Sequence, residues 1–347
     1  MGNSKYYDGT KLLSLKDASG NKPEIYICTS NRTAGKTTYF SRLLVNRFID
    51  KEEKFMLLYR FTYELKDAAD KFFSLVQNLF FPEYTMEGKR MDNGHYYELF
   101  LNGVPCGYAS ALNCAEPLKK LSNKFTDVKR MMFDEFQSET NVYCPDEVTK
   151  FKSIHTTVAR GEGEQVRYVP VYMVSNPVTL LNPYYVSMGI SSRLNGETRF
   201  MKGEGFVLEQ GHNDSAEEAQ RSSGFNKAFA SDSAYLDYAA SGVYLNDNLS
   251  FIERPTGRSR YICTIRFKGS DFGIRSFADA GIVYCDNRCD LSFPVRISVT
   301  TEDHNVNYVM LKQFDELIYQ LRFYFEKGCF RFHDLQAKEA LLTAISY

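Results

Sequence analysis

Lys36, Thr37, Asp134 and Glu135 are the side chains of this 347-residue chain whose types and spacing are best suited to chemistry. The stretch YICTSNRTAGKTTYFSRLL, residues 26–44, carries Gly35-Lys36-Thr37, the closing triplet of a phosphate-binding loop. Ser30 stands where such a loop has its first glycine, and it is the smallest side chain that replaces it without filling the loop. The chemistry implied is nucleotide binding. Backbone N–H groups of Ser30, Asn31, Arg32, Thr33, Ala34, Gly35, Lys36, Thr37 and Thr38 would face the phosphates at a helix N-terminus, whose dipole favours negative charge. Lys36 would neutralise the β- and γ-phosphates of ATP, and the Thr37 hydroxyl would hold Mg²⁺.

The second constellation is VKRMMFDEFQSE, residues 128–139. A buried apolar run ends in two acids, and the carboxyl end of a strand is where open α/β sheets place ligands. Asp134 there suits the metal, and Glu135, pointing elsewhere, suits the general base that polarises an attacking water. A third apolar run, YVPVYMVSN (168–176), ends in Ser175 and Asn176. These residues either touch the γ-phosphate as a sensor of hydrolysis or merely open a turn. Beyond the segment 147–158, read as a helix, Arg160 emerges in a glycine-flanked loop. There it suits an arginine finger reaching a neighbouring subunit's phosphate, with Arg167 and Arg193 as rivals.

These groups need elements to hold them. EIYICT reads as a strand, NRTAG as a turn and KTTYFSRLLVNRFID as a helix with apolar residues at 40, 43, 44 and 48, which is the order a phosphate loop requires. KFMLLYRF (54–61) reads as a further strand and 64–80 as a helix. The expectation is an α/β ATPase domain over 1–205, a helical linker segment over 206–245, and a small α+β domain over 246–347. In the last, YICTIRF, FGIRSF and GIVYCD read as an antiparallel meander. A helix follows with apolar positions 310, 311, 314, 317, 318 and 321.

Composition narrows the class. With 44% hydrophobic residues the chain builds real cores, and a net charge of −1 excludes a globally basic nucleic-acid coat. No run approaches the roughly 18–20 apolar residues of a membrane span, so no membrane partner and a cytoplasmic location are expected. The eight cysteines are scattered through apolar runs, the pattern of reduced thiols. Candidate contacts to nucleic-acid backbone are Lys119, Lys120 and Lys124, and in the second half the basic run from Arg254 to Lys268 with Arg275 and Arg288.

NRTAGKTT, MMFDEF, TTVARGEGEQVR and VSNPVTLLNPYY, in this order, resemble the DNA-packaging ATPases of small protein-primed tailed phages, most clearly over residues 1–200. These are terminase-like motors with a P-loop core of the additional-strand, catalytic-glutamate type. The resemblance implies that Arg32, Lys36 and Thr37 serve the loop, Asp134 the metal, Glu135 the hydrolysis and Arg160 the neighbour's site. YYDGTKLLSL lies where related motors contact adenine, with Thr10 in place of a glutamine. It further implies a homopentameric ring on the portal, or connector, of a procapsid that drives double-stranded DNA inside. Some members also use a structural RNA. The location implied is the host cytoplasm, with transient attachment to the procapsid and absence from the mature virion. The C-terminal domain would resemble a ribonuclease H fold without nuclease residues: the strand RYICTIRFK has no acid, and Asp271, Asp279, Asp286, Asp290 and Asp303 mostly fall in turns. Two other readings stay open, another P-loop nucleic-acid ATPase such as a helicase, and a nucleotide-dependent assembly scaffold.

Overall fold

Apolar runs of five to seven residues set the middle of the first sheet. In this computed structural model its strands are β1 Ile25–Thr29, β2 Lys54–Tyr59, β3 Met86–Met91, β4 Tyr96–Leu101, β5 Val104–Ala111, β6 Val128–Asp134, β7 Val171–Ser175, β8 Phe200–Gly203 and β9 Phe206–Gln210. The structure describes residues 6–71, 74–140, 142–161, 165–191, 193–194, 198–228, 237–242 and 251–346.

The strands run in the order β3-β4-β5-β2-β6-β7-β1-β9-β8. From β5 through β9 every neighbouring pair is parallel, while β3–β4–β5 and β8–β9 are antiparallel edges. The central strands are buried on both faces, which is why they read as continuous apolar runs and not as alternating ones. β7 is inserted between the strand that feeds the glycine loop and the strand that carries the acids, which is the additional-strand arrangement.

The helix Lys36–Lys51 buries Phe40, Leu44, Val45 and Phe48 against this sheet, one stripe at the helical period. The region 64–80, expected as one helix, contains the helices Thr62–Lys71 and Ser74–Phe80. At the far edge β3 and β4 form a hairpin whose turn, Asp92, Asn93 and Gly94, takes left-handed backbone angles throughout.

The chain divides into two units, 1–188 with 194–246, and 189–193 with 247–347. The expected boundaries differ: 189–193 fall in the second unit, and 206–245 form no separate segment but belong to the first. Residues 206–210, assigned above to a helical linker, are strand β9, paired parallel to β1 along its length from Ile25↔Phe206 to Thr29↔Gln210. FVLEQ is a short apolar strand with all but its last residue buried, and its neighbour is remote in sequence, so local composition masks it. The helices Asp214–Ser222 and Gly224–Ala228 follow within the same unit.

The second unit holds β10 Arg260–Phe267, β11 Ser270–Phe277, β12 Ile282–Asp286, β13 Arg296–Ser298, β14 Val309–Met310 and β15 Phe330–Phe332. Their order is β14-β13-β10-β11-β12-β15. β10, β11 and β12 are the expected antiparallel meander, and β13, β14 and β15 add in parallel. The helices Asp315–Glu326 and Leu335–Ser346 supply Ile318, Leu321, Leu341 and Ala344 to a core with Cys263, Ile265 and Phe330. The stripe from 310 to 321 is therefore split: Met310 is in β14, Leu311–Phe314 is a 3₁₀ turn, and the α-helix begins at Asp315. Among the described residues no helix is long and apolar enough to cross a membrane.

Candidate nucleotide site

Three adjacent parallel strands end together. Register pairs Thr29 of β1 with Ser175 of β7, and Asp134 of β6 with Val174 of β7. The loop after β1, the acids after β6 and the polar pair ending β7 therefore meet at one edge of the sheet.

In the loop, Gly35 (φ 92°) and Thr33 (φ 62°) take the left-handed conformation, and Ser30 does not. The position that lost its glycine thus makes no demand for one, and Ser30 fits in a buried place with its hydroxyl 3.3 Å from the Asn31 carbonyl. The strained residue is Thr33, a β-branched side chain at a conformation that costs about 1–2 kcal/mol. Lys36, 7% exposed, donates from Nζ to the Ser30 carbonyl at 3.2 Å and to Asn176 Oδ1 at 2.7 Å. Its burial holds the ammonium below its ordinary range.

Asn31 and Arg32 also tie the loop to a remote segment of the same unit. The fully buried Asn31 amide bonds the Asn213 carbonyl (3.0 Å), the Ala240 carbonyl (2.8 Å) and the Asn213 N–H (3.0 Å). The Arg32 N–H donates to the Ala239 carbonyl at 3.0 Å. The loop is thus fastened to the segment around 213 and 237–242, and these amides serve that union. Ala34 is fully buried, its carbonyl accepting from the Tyr7 N–H at 2.7 Å.

The Thr37 hydroxyl lies 3.2 Å from Asp134 Oδ1, the pair of oxygen donors that a hard divalent cation takes. Burial pushes the Asp134 carboxyl up to about 6, and the Glu135 charge adds to it. Glu135 sits at φ 52° in the tight turn after β6, its N–H donating to Asp134 Oδ1 at 3.0 Å. A cleft of about 940 Å³ contains Lys36, Thr37, Thr38, Glu135 and Asn176, and is walled further out by Tyr6, Tyr7, Tyr39, Arg42 and Phe80. Arg42 lies over the Phe80 ring, 4.6 Å from its centre. Thr10 is occupied, its hydroxyl donating to Asp8 Oδ1 at 2.6 Å.

A buried ion pair that the sequence does not announce fixes the catalytic turn. Arg60, just past β2, donates from Nε to both Glu147 oxygens at 3.1 and 3.0 Å, and from Nη2 to the carbonyls of Glu135 (3.2 Å) and Phe136 (2.8 Å). Glu147 also accepts from Tyr184 Oη at 2.9 Å and from the Cys144 N–H at 2.9 Å. The side chains are 7% and 1% exposed. Removing one partner strands a buried charge, so Glu147→Ala is expected to destabilise the first unit by about 3–5 kcal/mol, read by chemical denaturation. A double replacement, Arg60→Met with Glu147→Leu, should cost less than either alanine variant alone. A sequence separation of 87 residues hides the pairing of Arg60 and Glu147.

Ser175 is buried, its hydroxyl without a hydrogen-bond partner. Asn176 bridges Lys36 to Glu139, its Nδ2 3.2 Å from Glu139 Oε1, and Glu139 is ion-paired with Arg32. Glu139 is a second residue that the sequence reading missed.

Arg160 is exposed just beyond the helix Glu147–Val158, at the opposite end of the sheet from its own loop. Arg167 is buried and donates to the carbonyls of Val128 (3.0 Å), Val158 (2.6 Å) and Arg160 (3.3 Å). It is a brace for the Arg160 segment and no finger itself. Arg193 lies on an exposed turn assigned to the second unit. Lys119, Lys120 and Lys124 are exposed on the connection between β5 and β6, with Lys119 paired to Glu116 at 2.6 Å. In the second unit Arg266 pairs with Asp271, Lys268 with Glu339 and Arg275 with Asp286, which removes much of the free positive charge expected there. Asp271 and Asp286 lie on strands and not in turns.

The model of the podovirus DNA encapsidation protein (Gp16) family matches residues 1–343. The DNA packaging protein of Bacillus phage phi29 is 24% identical over 316 residues, 90% of this chain and 88% of that protein. Among solved structures, the bacteriophage Phi-29 viral genome packaging motor assembly superposes with a TM-score of 0.69 at 22% identity, over 99% of this chain and 98% of that one. The Phi-28 gp11 DNA packaging motor does so with a TM-score of 0.60 at 14% identity, over 100% and 99%. With a phosphate loop, an inserted strand and an acid pair folded as those relatives fold, and a family match running nearly end to end, the chain belongs to the podovirus DNA encapsidation proteins (Gp16).

Proposed function

We propose that this protein hydrolyses ATP with Mg²⁺ to drive double-stranded DNA into a procapsid, as a homo-oligomeric ring seated on the portal. The observation that carries the reading is the register of β1, β7 and β6. It brings Lys36, Thr37, Glu135 and Asn176 to one strand edge and one cleft, with Asp134 at the same edge beside Thr37.

Each residue has a task in this reading. Lys36 binds the β- and γ-phosphates, Thr37 and Asp134 supply oxygens to Mg²⁺, and Glu135 takes a proton from the attacking water. The cation supplies charge neutralisation at the γ-phosphate. Asn176 holds Lys36, and a change at the γ-phosphate is felt along that hydrogen bond. Arg160 supports a ring with shared sites. The 12-residue helix before it runs about 18 Å, returning from the acid end of β6 to the start of β7, so Arg160 is remote from its own phosphates. Lys119, Lys120 and Lys124, exposed together, suit sequence-independent contact with DNA phosphates.

The second unit acts without nuclease chemistry in this reading. Asp303 caps the Lys268 and Gly269 N–H groups at 2.7 Å, Asp290 caps Ser292, and Asp271 and Asp286 hold arginines. Among the described residues no group of three or more acids, histidines or cysteines could hold a metal.

The test is DNA packaging itself. On addition of ATP and Mg²⁺, procapsids carrying the wild-type ring should render double-stranded DNA resistant to nuclease, and those carrying Lys36→Ala should not. Separation of duplex strands by the protein would favour a helicase. Protection that persists when ATP cannot be hydrolysed would favour an assembly scaffold.

A further inference from the structure

We propose that Glu139 is a built-in rival of the γ-phosphate, an internal anion that holds the phosphate-binding cations and must yield them for ATP to bind fully. The inference rests on the nucleotide-site reading above and adds a residue and a role to it.

Two cations of the site are linked to this one carboxylate. The Arg32 guanidinium is ion-paired with it directly, both side chains 35% exposed. Lys36 Nζ is linked through one intermediary, donating to Asn176 Oδ1 at 2.7 Å while Asn176 Nδ2 donates to Glu139 Oε1 at 3.2 Å. An amide passes polarity along. Donating to a carboxylate enriches its own oxygen as an acceptor, so the Glu139 charge strengthens the hold of Asn176 on the ammonium. Glu139 therefore stands toward Arg32 and Lys36 as a phosphate oxygen would.

A phosphate brought to Arg32 competes with the carboxylate already there, and the two anions repel at close range. Triphosphate binding must thus break or stretch the Arg32–Glu139 pair, which a diphosphate, lacking the third group, need not do. When the γ-phosphate departs, the carboxylate is at hand to reclaim the arginine, which resists rebinding of inorganic phosphate. Glu139 lies five residues past Asp134, the end of β6, on the same connection as Glu135, which couples both sides of the reaction to one short segment.

A merely structural Glu139 predicts the reverse sign. If the carboxylate only positions Arg32 and Asn176, its loss should weaken ATP binding, whereas loss of a rival should tighten it.

The experiment measures dissociation constants of a fluorescent non-hydrolysable ATP analogue and of fluorescent ADP for wild type, Glu139→Gln, Glu139→Asp and Lys36→Ala, with inorganic phosphate as competitor. Glu139→Gln is expected to bind the triphosphate roughly two- to five-fold more tightly, the range of a partly exposed charge pair, with ADP changed less. Inorganic phosphate should bind the ADP-loaded variant at lower concentration than ADP-loaded wild type, and Glu139→Asp should return toward wild type. Unchanged or weaker triphosphate preference in folded Glu139→Gln, alongside Lys36-dependent binding by wild type, overturns this inference and leaves the site reading intact. Wild-type binding that Lys36→Ala does not diminish overturns the site reading, and the inference with it.

Discussion

Rings in which every subunit carries Arg160→Ala are expected to hydrolyse ATP about 10³- to 10⁵-fold more slowly than wild type while still binding the nucleotide, the range known for arginine fingers. The expectation follows from place as well as from residue type. Arg160 is exposed, its carbonyl is braced by the buried Arg167, and the β6-helix-β7 crossover sets it at the far end of the sheet from its own Lys36. In the proposed ring a guanidinium so placed would stabilise transition-state charge only in a neighbour. The sharper measurement mixes wild-type and variant subunits and records steady-state hydrolysis with and without double-stranded DNA. Mixed assemblies should lose more activity than the variant fraction, and specific activity should rise with protein concentration as rings form. Activity that is linear in concentration and indifferent to the substitution would sink the shared-site ring.

Glu135→Gln should lower the hydrolysis rate by about 10² to 10⁴ with ATP binding retained, since the amide keeps the shape and the hydrogen bonds but cannot take the proton. The turn fixes the backbone of Glu135, which has φ 52° and whose carbonyl accepts from Arg60 at 3.2 Å. In the proposed reading the two acids are divided in duty. Asp134, raised to about 6 by burial, is largely ionised at neutral pH and faces Thr37, the arrangement of a cation ligand. Single-turnover hydrolysis and binding of a fluorescent ATP analogue, measured on the same preparation, separate the chemical step from affinity. A variant that turns over at the wild-type rate would remove Glu135 from the reaction.

The sequence carried the parts of the site that are local. Gly35-Lys36-Thr37 opens its helix, Asp134 ends its strand and Asn176 ends the next, each because a change from apolar run to polar residue marks a strand end. What it hid depends on contacts between distant segments. The register that aligns Thr29, Ser175 and Asp134 is a property of three strands together. The Arg60–Glu147 pair, the Asn31 amide buried against Asn213 and Ala240, and the Arg32–Glu139–Asn176 link all join segments whose separation no periodicity reports. The strand 206–210 was taken for linker for the same reason: it is an addition to β1, and only β1's free side shows that it belongs there. Ser30 reads as a tolerable replacement for the loop's first glycine, and its backbone is not left-handed; the left-handed positions are Thr33 and Gly35.

The hairpin of β3 and β4 offers the experimenter a handle. Its turn at Asp92–Gly94 ends the outermost pair of the sheet, with β5 and β2 standing between it and the acid-bearing β6. Asp92 and Asn93 are exposed, and the backbone there already follows a tight reversal, the kind of place where chains accept inserted residues. A fluorophore or affinity tag grafted at this turn would report on assembly and movement of the protein while leaving the phosphate loop, the catalytic turn and the Arg160 segment as they are.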